Sequence, residues 1–211
     1  MTEKQQKDAK QRIFDAAISL FARKGYNAVG TRGIVKKAQV NIAMINYYYG
    51  GKVGILKTII NTAYEKHSAV ITSADVHQEP ENHIQAVIEN FIKFFRGNTE
   101  LALVAFDTLP YDDPEIIALK QKWEESKMDL VRKLFAGIGL NINNEVQVSI
   151  FNGFLSNIIL THFRGRYSWE QAAGKSALAY DDVFYARYAK TLARFYFDGV
   201  RGVISKRGKK K

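Results

Sequence analysis

The stretch Thr31-Arg32-Gly33-Ile34-Val35-Lys36-Lys37-Ala38-Gln39-Val40-Asn41-Ile42-Ala43-Met44-Ile45-Asn46-Tyr47-Tyr48-Tyr49-Gly50-Gly51-Lys52 decides the fold. Thr31 can cap a short helix over 32–38 that turns Ile34, Val35 and Ala38 inward. Gln39-Val40 then turns the chain, and Asn41 can cap a second short helix over 42–48. Gly50-Gly51 breaks the chain before a longer helix that starts near Lys52. Two short helices joined by a tight turn read as a helix-turn-helix. Such a unit puts its second helix in the DNA major groove, while the first helix and flanking residues hold phosphates. Many helical bundles contain a similar turn, so the surrounding chain has to be read with it.

On the N-terminal side, Ile13, Ala16, Ala17, Leu20 and Phe21 recur at helical spacing, and the pattern stops at Gly25. This predicts a helix over 6–24. On the C-terminal side, Ile55, Leu56, Ile59, Ile60, Ala63 and Tyr64 line one face of a helix running from Lys52 to about Ser73, with no linker before it. Further helices are expected over 80–96, over 99–108, from a cap at Asp113 with Pro114 in the first turn, over 145–163 and over 182–203. With only three prolines, the chain reads as all-α, with about nine helices. The expected domains are a three-helix DNA-binding domain over 1–52, a larger helical ligand-binding and dimerisation domain over 53–204, and a disordered basic tail over 205–211.

Composition narrows the function. In 211 residues, 46% are apolar and no cysteine occurs, which excludes disulfide scaffolds, thiolate zinc sites and cysteine nucleophiles. Residues 1–60 hold 11 Lys/Arg against 3 Asp/Glu, residues 61–200 hold 14 against 18, and residues 201–211 hold 6 against none. A basic first third on a mildly acidic body suggests that one part meets a polyanion. The apolar run Leu101–Phe106 is far shorter than the ~18–20 residues of a membrane span. The N-terminus has no apolar segment of a secretory signal, so a cytoplasmic, nucleoid-associated protein without membrane contact is expected. There is no Gly-x-Ser-x-Gly elbow, phosphate loop, His-Glu-x-x-His pair or Gly-x-Gly-x-x-Gly turn, so no enzyme, metal or cofactor is expected.

Within the second short helix, Ile42 and Ala43 can give apolar contact to thymine methyls, and Asn46 can pair with an adenine edge. Tyr47, Tyr48 and Lys52 can reach phosphates, and Arg32 can reach a phosphate or a base. Tyr49 reads as an anchor that packs the small helix against the first one, and Asn41 as a cap more than a base reader.

The segments Ile13–Tyr26, Thr31–Ala38 and Val40–Lys52 resemble the DNA-binding domain of the TetR (tetracycline repressor) family of bacterial regulators, over about residues 10–56. Gln39 stands where that family commonly has a turn glycine, and Asn46 where it commonly has tyrosine. Val35, Tyr49, Gly51 and Val53 depart from its usual alanine, phenylalanine, serine and acidic residue. The resemblance implies a homodimer that binds a palindromic operator and holds a small effector. By position it puts Thr31, Arg32, Asn41, Ile42, Ala43, Asn46, Tyr47, Tyr48 and Lys52 at DNA.

The two last long helices carry wide apolar faces, and the resemblance matches them to a dimer seam, with Ile150, Phe151, Leu155, Ile158, Leu192, Phe195 and Tyr196 as candidates. An intramolecular core would use the same residues. Candidates for the effector pocket are Tyr64, His67, Phe91, Phe95, Phe106, Trp123, Phe154 and His162, all of which also fit plain core packing. A largely apolar ligand is the expectation, with His162 the polar group of most interest. The alternative is a ligand-independent architectural or division-linked DNA-binding protein.

Overall fold

Gly25 closes the first helix in the way its missing Cβ permits: its φ is +78° and its N–H donates to the Phe21 carbonyl at 2.8 Å. The computed structural model describes residues 3–73, 79–107, 109–110, 112–137, 140–173 and 180–205. Among these, nine helices and no strand occur: α1 (Glu3–Lys24), α2 (Thr31–Ala38), α3 (Ala43–Tyr49), α4 (Lys52–Thr72), α5 (Pro80–Gly97), α6 (Thr99–Phe106), α7 (Pro114–Gly137), α8 (Glu145–Ala173) and α9 (Asp182–Ser205). The expected all-α architecture is therefore present.

The helices gather into two compact units, Met1–Lys66 with Asn98–Glu124, and His67–Gly97 with Glu125–Lys211. In the first, α1 packs on α2, α3 and α6. Its core joins Ile13, Ala17 and Phe21 to Ile34, Ile45, Ile55, Leu56, Ile59 and Tyr64, and to Leu101, Val104 and Ala105 of α6. Every residue from Leu101 to Ala105 is buried, so this stretch of α6 is apolar all round, as an enclosed helical segment must be. Each large aliphatic side chain buried this way stabilises the unit by about 1.5–3 kcal/mol. In the second unit α5 packs on α8 and α9, around buried Phe135, Phe151, Leu155, Phe163, Tyr185, Leu192 and Tyr196.

Several boundaries differ from the sequence-based expectation. The N-cap of α2 is Gly30 in an extended conformation, and its carbonyl accepts from Gly33 and Ile34; Thr31 is the first helical residue and makes no cap. Helix α3 begins at Ala43 after Ile42, so Asn41 lies one residue before the cap; its Oδ1 still accepts the Ala43 N–H at 2.9 Å. Asp113 does cap α7, its Oδ1 accepting from Glu115 and Ile116. Helix α6 ends at Phe106 rather than near 108, and α8 continues ten residues past Phe163. Within the extension Arg166 and Glu170, four residues apart on one face, pair at 2.6 Å and add support to it. Ser205 is the last residue of α9, and the rest of the expected tail, 206–211, lies outside the described residues.

Candidate nucleic-acid interface

The turn between α2 and α3 is made by Gln39 at φ 55° and ψ 49°, with its N–H and that of Val40 both donating to the Val35 carbonyl. Four hydrogen bonds, made by three side chains, tie this turn and its helices to α1. Arg12 Nη1 donates to the carbonyls of Ala38 at 3.1 Å and Gln39 at 3.4 Å. Lys37 Nζ donates to Ser19 Oγ at 2.7 Å, and Tyr49 Oη donates to the Lys10 carbonyl at 2.8 Å. Tyr49 is thus the expected anchor of α3 on α1, fastened by its hydroxyl. Burial, with a smaller contribution from the Asp15 carboxylate, pushes the Tyr49 phenol up to about 12.

With Ile45 buried beneath it, α3 turns Ala43, Asn46 and Tyr47 to solvent together with Ile42. Ile42, at the start of α3, is 49% and Tyr47, in its last turn, 74% exposed, large apolar area to leave in water. Tyr48 is half-buried and meets Tyr47 edge to face at 4.9 Å. At the start of α2, Arg32 is exposed and Thr31 half-buried. The exposed set therefore combines slender residues that let the backbone approach a groove with hydroxyl, amide and guanidinium donors around it.

Lys52 sits differently. Its ammonium lies 3.9 Å from the centroid of the Tyr26 ring, a cation–π contact that places it at the first residue of α4. Partial burial lowers its pKa, while burial followed by the charges of Asp113 and Asp112 raises that of Tyr26. Two residues further on, the backbone of Gly54 passes so close to Tyr49 that a Cβ there would run into the Tyr49 carbonyl. Gly50 and Gly51 take φ values of +69° and +122°, so the α3–α4 corner rests on glycine at three places. Sequence reasoning identified the break at Gly50-Gly51 but missed Arg12, Tyr26 and Gly54. Only Gly54 leaves a sequence signal, as a glycine inside an otherwise helical pattern.

The effector candidates fall into separate groups. In the first unit, Tyr64 stacks on Trp123 at 5.5 Å and meets Phe106 edge to face, with Trp123 Nε1 donating to Asn61 and Tyr64 Oη to Glu124. In the second, His67 lies 4.7 Å from Phe91, and both line a cavity of about 10 Å³ with Lys127, Asn152 and Ser156 among apolar neighbours. Phe95 stacks on Phe163. His162 is ringed by Phe163, Tyr180, Phe184, Tyr185 and Tyr188 at 4.7–5.7 Å. Phe154 is exposed. Of the seam candidates, Phe151, Leu155, Leu192 and Tyr196 are buried within their own unit and Ile158 half-buried, whereas Ile150 and Phe195 face solvent at 60% and 69%.

No group of three or more metal-ligating side chains and no helix long and apolar enough to cross a membrane occurs among the described residues.

Residues 13–59 match the model of the bacterial regulatory proteins of the tetR family. A probable helix-turn-helix-type transcriptional regulator, YttP, from Bacillus subtilis is 37% identical over 106 residues, 49% of this chain and 51% of that protein, so the match spans about half the length of this curated relative. The regulator BetI from Vibrio campbellii is 26% identical over 132 residues, 59% of this chain and 65% of its own. Solved structures extend the likeness in fold to nearly the whole chain. A tetR-family regulatory protein from Rhodococcus RHA1 superposes with a TM-score of 0.66 at 21% identity, covering 93% of this chain and 98% of that one. The regulator FadR from Bacillus subtilis, solved with stearoyl-CoA, gives 0.63 at 18% identity over 90% and 98%.

Proposed function

We propose that this chain, which belongs through residues 13–59 to the tetR family of bacterial regulatory proteins, is a homodimeric transcriptional repressor released from a palindromic operator by a small, largely apolar ligand. The observation that carries the DNA-binding part is the face of α3, where Ile42, Ala43, Asn46 and Tyr47 stand exposed over buried Ile45. Residues 1–52 form the DNA-binding domain in this reading, and 53–204 the ligand-binding and dimerisation domain of a cytoplasmic protein. Ile42 and Ala43 meet thymine methyls, Asn46 reads an adenine edge, and Arg32, Tyr47, Tyr48 and Lys52 hold the backbone, with Thr31 and Asn41 at its margins. Two copies joined through Ile150, Phe195 and their neighbours set the two α3 helices ~34–36 Å apart, one turn of DNA.

Release by a ligand needs a difference in affinity between two arrangements of the dimer, typically ~1–3 kcal/mol. Helix α4 is the lever, because it runs unbroken from the α3 corner to Thr72. The cavity around His67 and Phe91 is the proposed ligand site; its apolar lining, and the stearoyl-CoA held by the Bacillus subtilis relative, support an apolar ligand. At about 10 Å³ that cavity has room for about one water. This small size favours a second reading, a ligand-independent architectural or division-linked DNA-binding protein. Selection of bound duplexes from a random pool at physiological salt tests the DNA-binding claim: an inverted repeat is expected, and recovery of no motif by a folded protein contradicts it. Acyl compounds that weaken binding to the recovered site support the ligand, and affinity unchanged by all of them favours the second reading.

A further inference from the structure

The turn that aims α3 adopts a conformation that its own residue resists, and a side chain from another helix holds it there. Gln39 is the one non-glycine residue with a positive φ among the described residues. In that region Cβ crowds the following carbonyl, a cost glycine does not carry. The last carbonyls of α2 also lack intrahelical amide partners, as at any helix C-terminus. Arg12 answers both conditions. Its Nη1 donates to the Ala38 and Gln39 carbonyls, and Asp8 Oδ2 lies 3.3 Å from its Nε on the other side. A guanidinium is also the favourable charge at the negative end of a helix.

We propose that Arg12 is a positioning residue for DNA recognition: it sets the angle at which α3 leaves α2 and acts through that helix, with no contact to DNA of its own. The proposal rests on the reading of the chain as a sequence-specific DNA binder. Asn46 lies seven residues beyond Gln39, the last four of them in α3; with a lever arm on the order of 10 Å, well within the reach of seven residues, a tilt of about 10° at the turn moves it by roughly 2 Å. A displacement of that size breaks a hydrogen bond to a base edge.

The test compares affinity for the selected site with affinity for random duplex in four proteins: wild type, Arg12→Lys, Gln39→Gly and the double variant. Lysine keeps the positive charge but not the planar fork. Arg12→Lys is expected to lower the ratio of specific to random binding by roughly tenfold, the scale of losing hydrogen bonds from a charged donor, while leaving random binding in place. Gln39→Gly, which takes the turn without strain, restores much of the ratio in the double variant. An unchanged ratio in Arg12→Lys overturns the proposal. So does an equal loss on both DNAs with a shallower salt dependence, which marks a phosphate contact, or a double variant no better than the single. Were Arg12→Lys alone to unfold, recovery of a folded, site-selective protein by Gln39→Gly supports the proposal, and no recovery overturns it. If wild type prefers no duplex at all, the DNA-binding reading fails by itself. Amide exchange at Gln39 and Val40 then still decides on Arg12, faster exchange in Arg12→Lys supporting the clamp and unchanged exchange refuting it.

Discussion

At the scale of single residues, the α3–α4 corner is where small chemical changes have the largest consequences. Gly54→Ala puts a methyl group against the Tyr49 carbonyl, backbone against backbone, with no flexible side chain to give way. A loss of about 3 kcal/mol or more is expected, since overpacking that cannot relax exceeds the usual range; urea unfolding would measure it, and a change within experimental error would show that the corner shifts freely. Lys52 is a test of a different kind. Its ammonium is held over the Tyr26 ring at the helix start, where it can meet a phosphate as a point charge. Lys52→Ala is expected to weaken binding to all duplexes alike and to reduce the salt slope by about 0.9, one phosphate contact. A loss confined to the selected site would instead make Lys52 a reader of sequence.

At the scale of helices, α8 and α9 present two features that ordinary core packing leaves unexplained. Ile150 and Phe195 stand well exposed on helices whose other large apolar side chains are mostly buried, and the proposed dimer would cover them. Phe195→Glu is expected to give monomers in sedimentation equilibrium with the helical signal intact; persistence of a dimer would move the seam elsewhere. The second feature is His162. Arg166 Nη1 donates to Tyr185 Oη at 2.9 Å, and His162 Nε2 lies 3.3 Å from the same oxygen. Because Arg166 only donates, the tyrosine proton is free to go to a neutral His162 ring. Burial, and then the charge of Arg166, lower the His162 pKa. The unfolded chain therefore takes up this proton first as pH falls below about 6.5, and stability declines from there downward. Wild type should lose more stability than His162→Gln between about pH 7.5 and 5.5 in thermal unfolding followed by circular dichroism; equal losses would remove His162 as the cause. The helices themselves were legible in the sequence because their apolar residues keep a 3.6-residue period, as in Ile13, Ala17 and Phe21. Their ends were less so. The extension of α8 to Ala173 carries the Arg166–Glu170 pair but no apolar periodicity, and Gly30 replaces Thr31 as a cap because backbone geometry alone suffices there.

At the scale of the whole chain, a basic first third precedes a mildly acidic body, and the proposed DNA-reading helix face lies in the former. Of the proposed contact residues, Ile42, Ala43, Asn46 and Tyr47 stand in solvent around the buried Ile45, as helical spacing allows. What holds the face was not readable. The Arg12 guanidinium reaches carbonyls 26 and 27 residues away, and a backbone acceptor has no side-chain identity to search for. The effector candidates were mixed for a related reason: Tyr64, Phe91, Phe95 and His162 share one apolar signature, whether they pack a core or line a cavity. The claim that stands at the centre is that α3 reads sequence through Asn46, beyond the attraction of positive charge. The most direct test is the ratio of affinities for the selected site and for random duplex, measured at two salt concentrations for wild type and Asn46→Ala. The expected result is a wild-type ratio well above one that falls in Asn46→Ala by roughly ten- to a hundredfold, ~1–3 kcal/mol, with the salt slope unchanged. An equal loss on both DNAs, or a wild-type ratio near one, would contradict it.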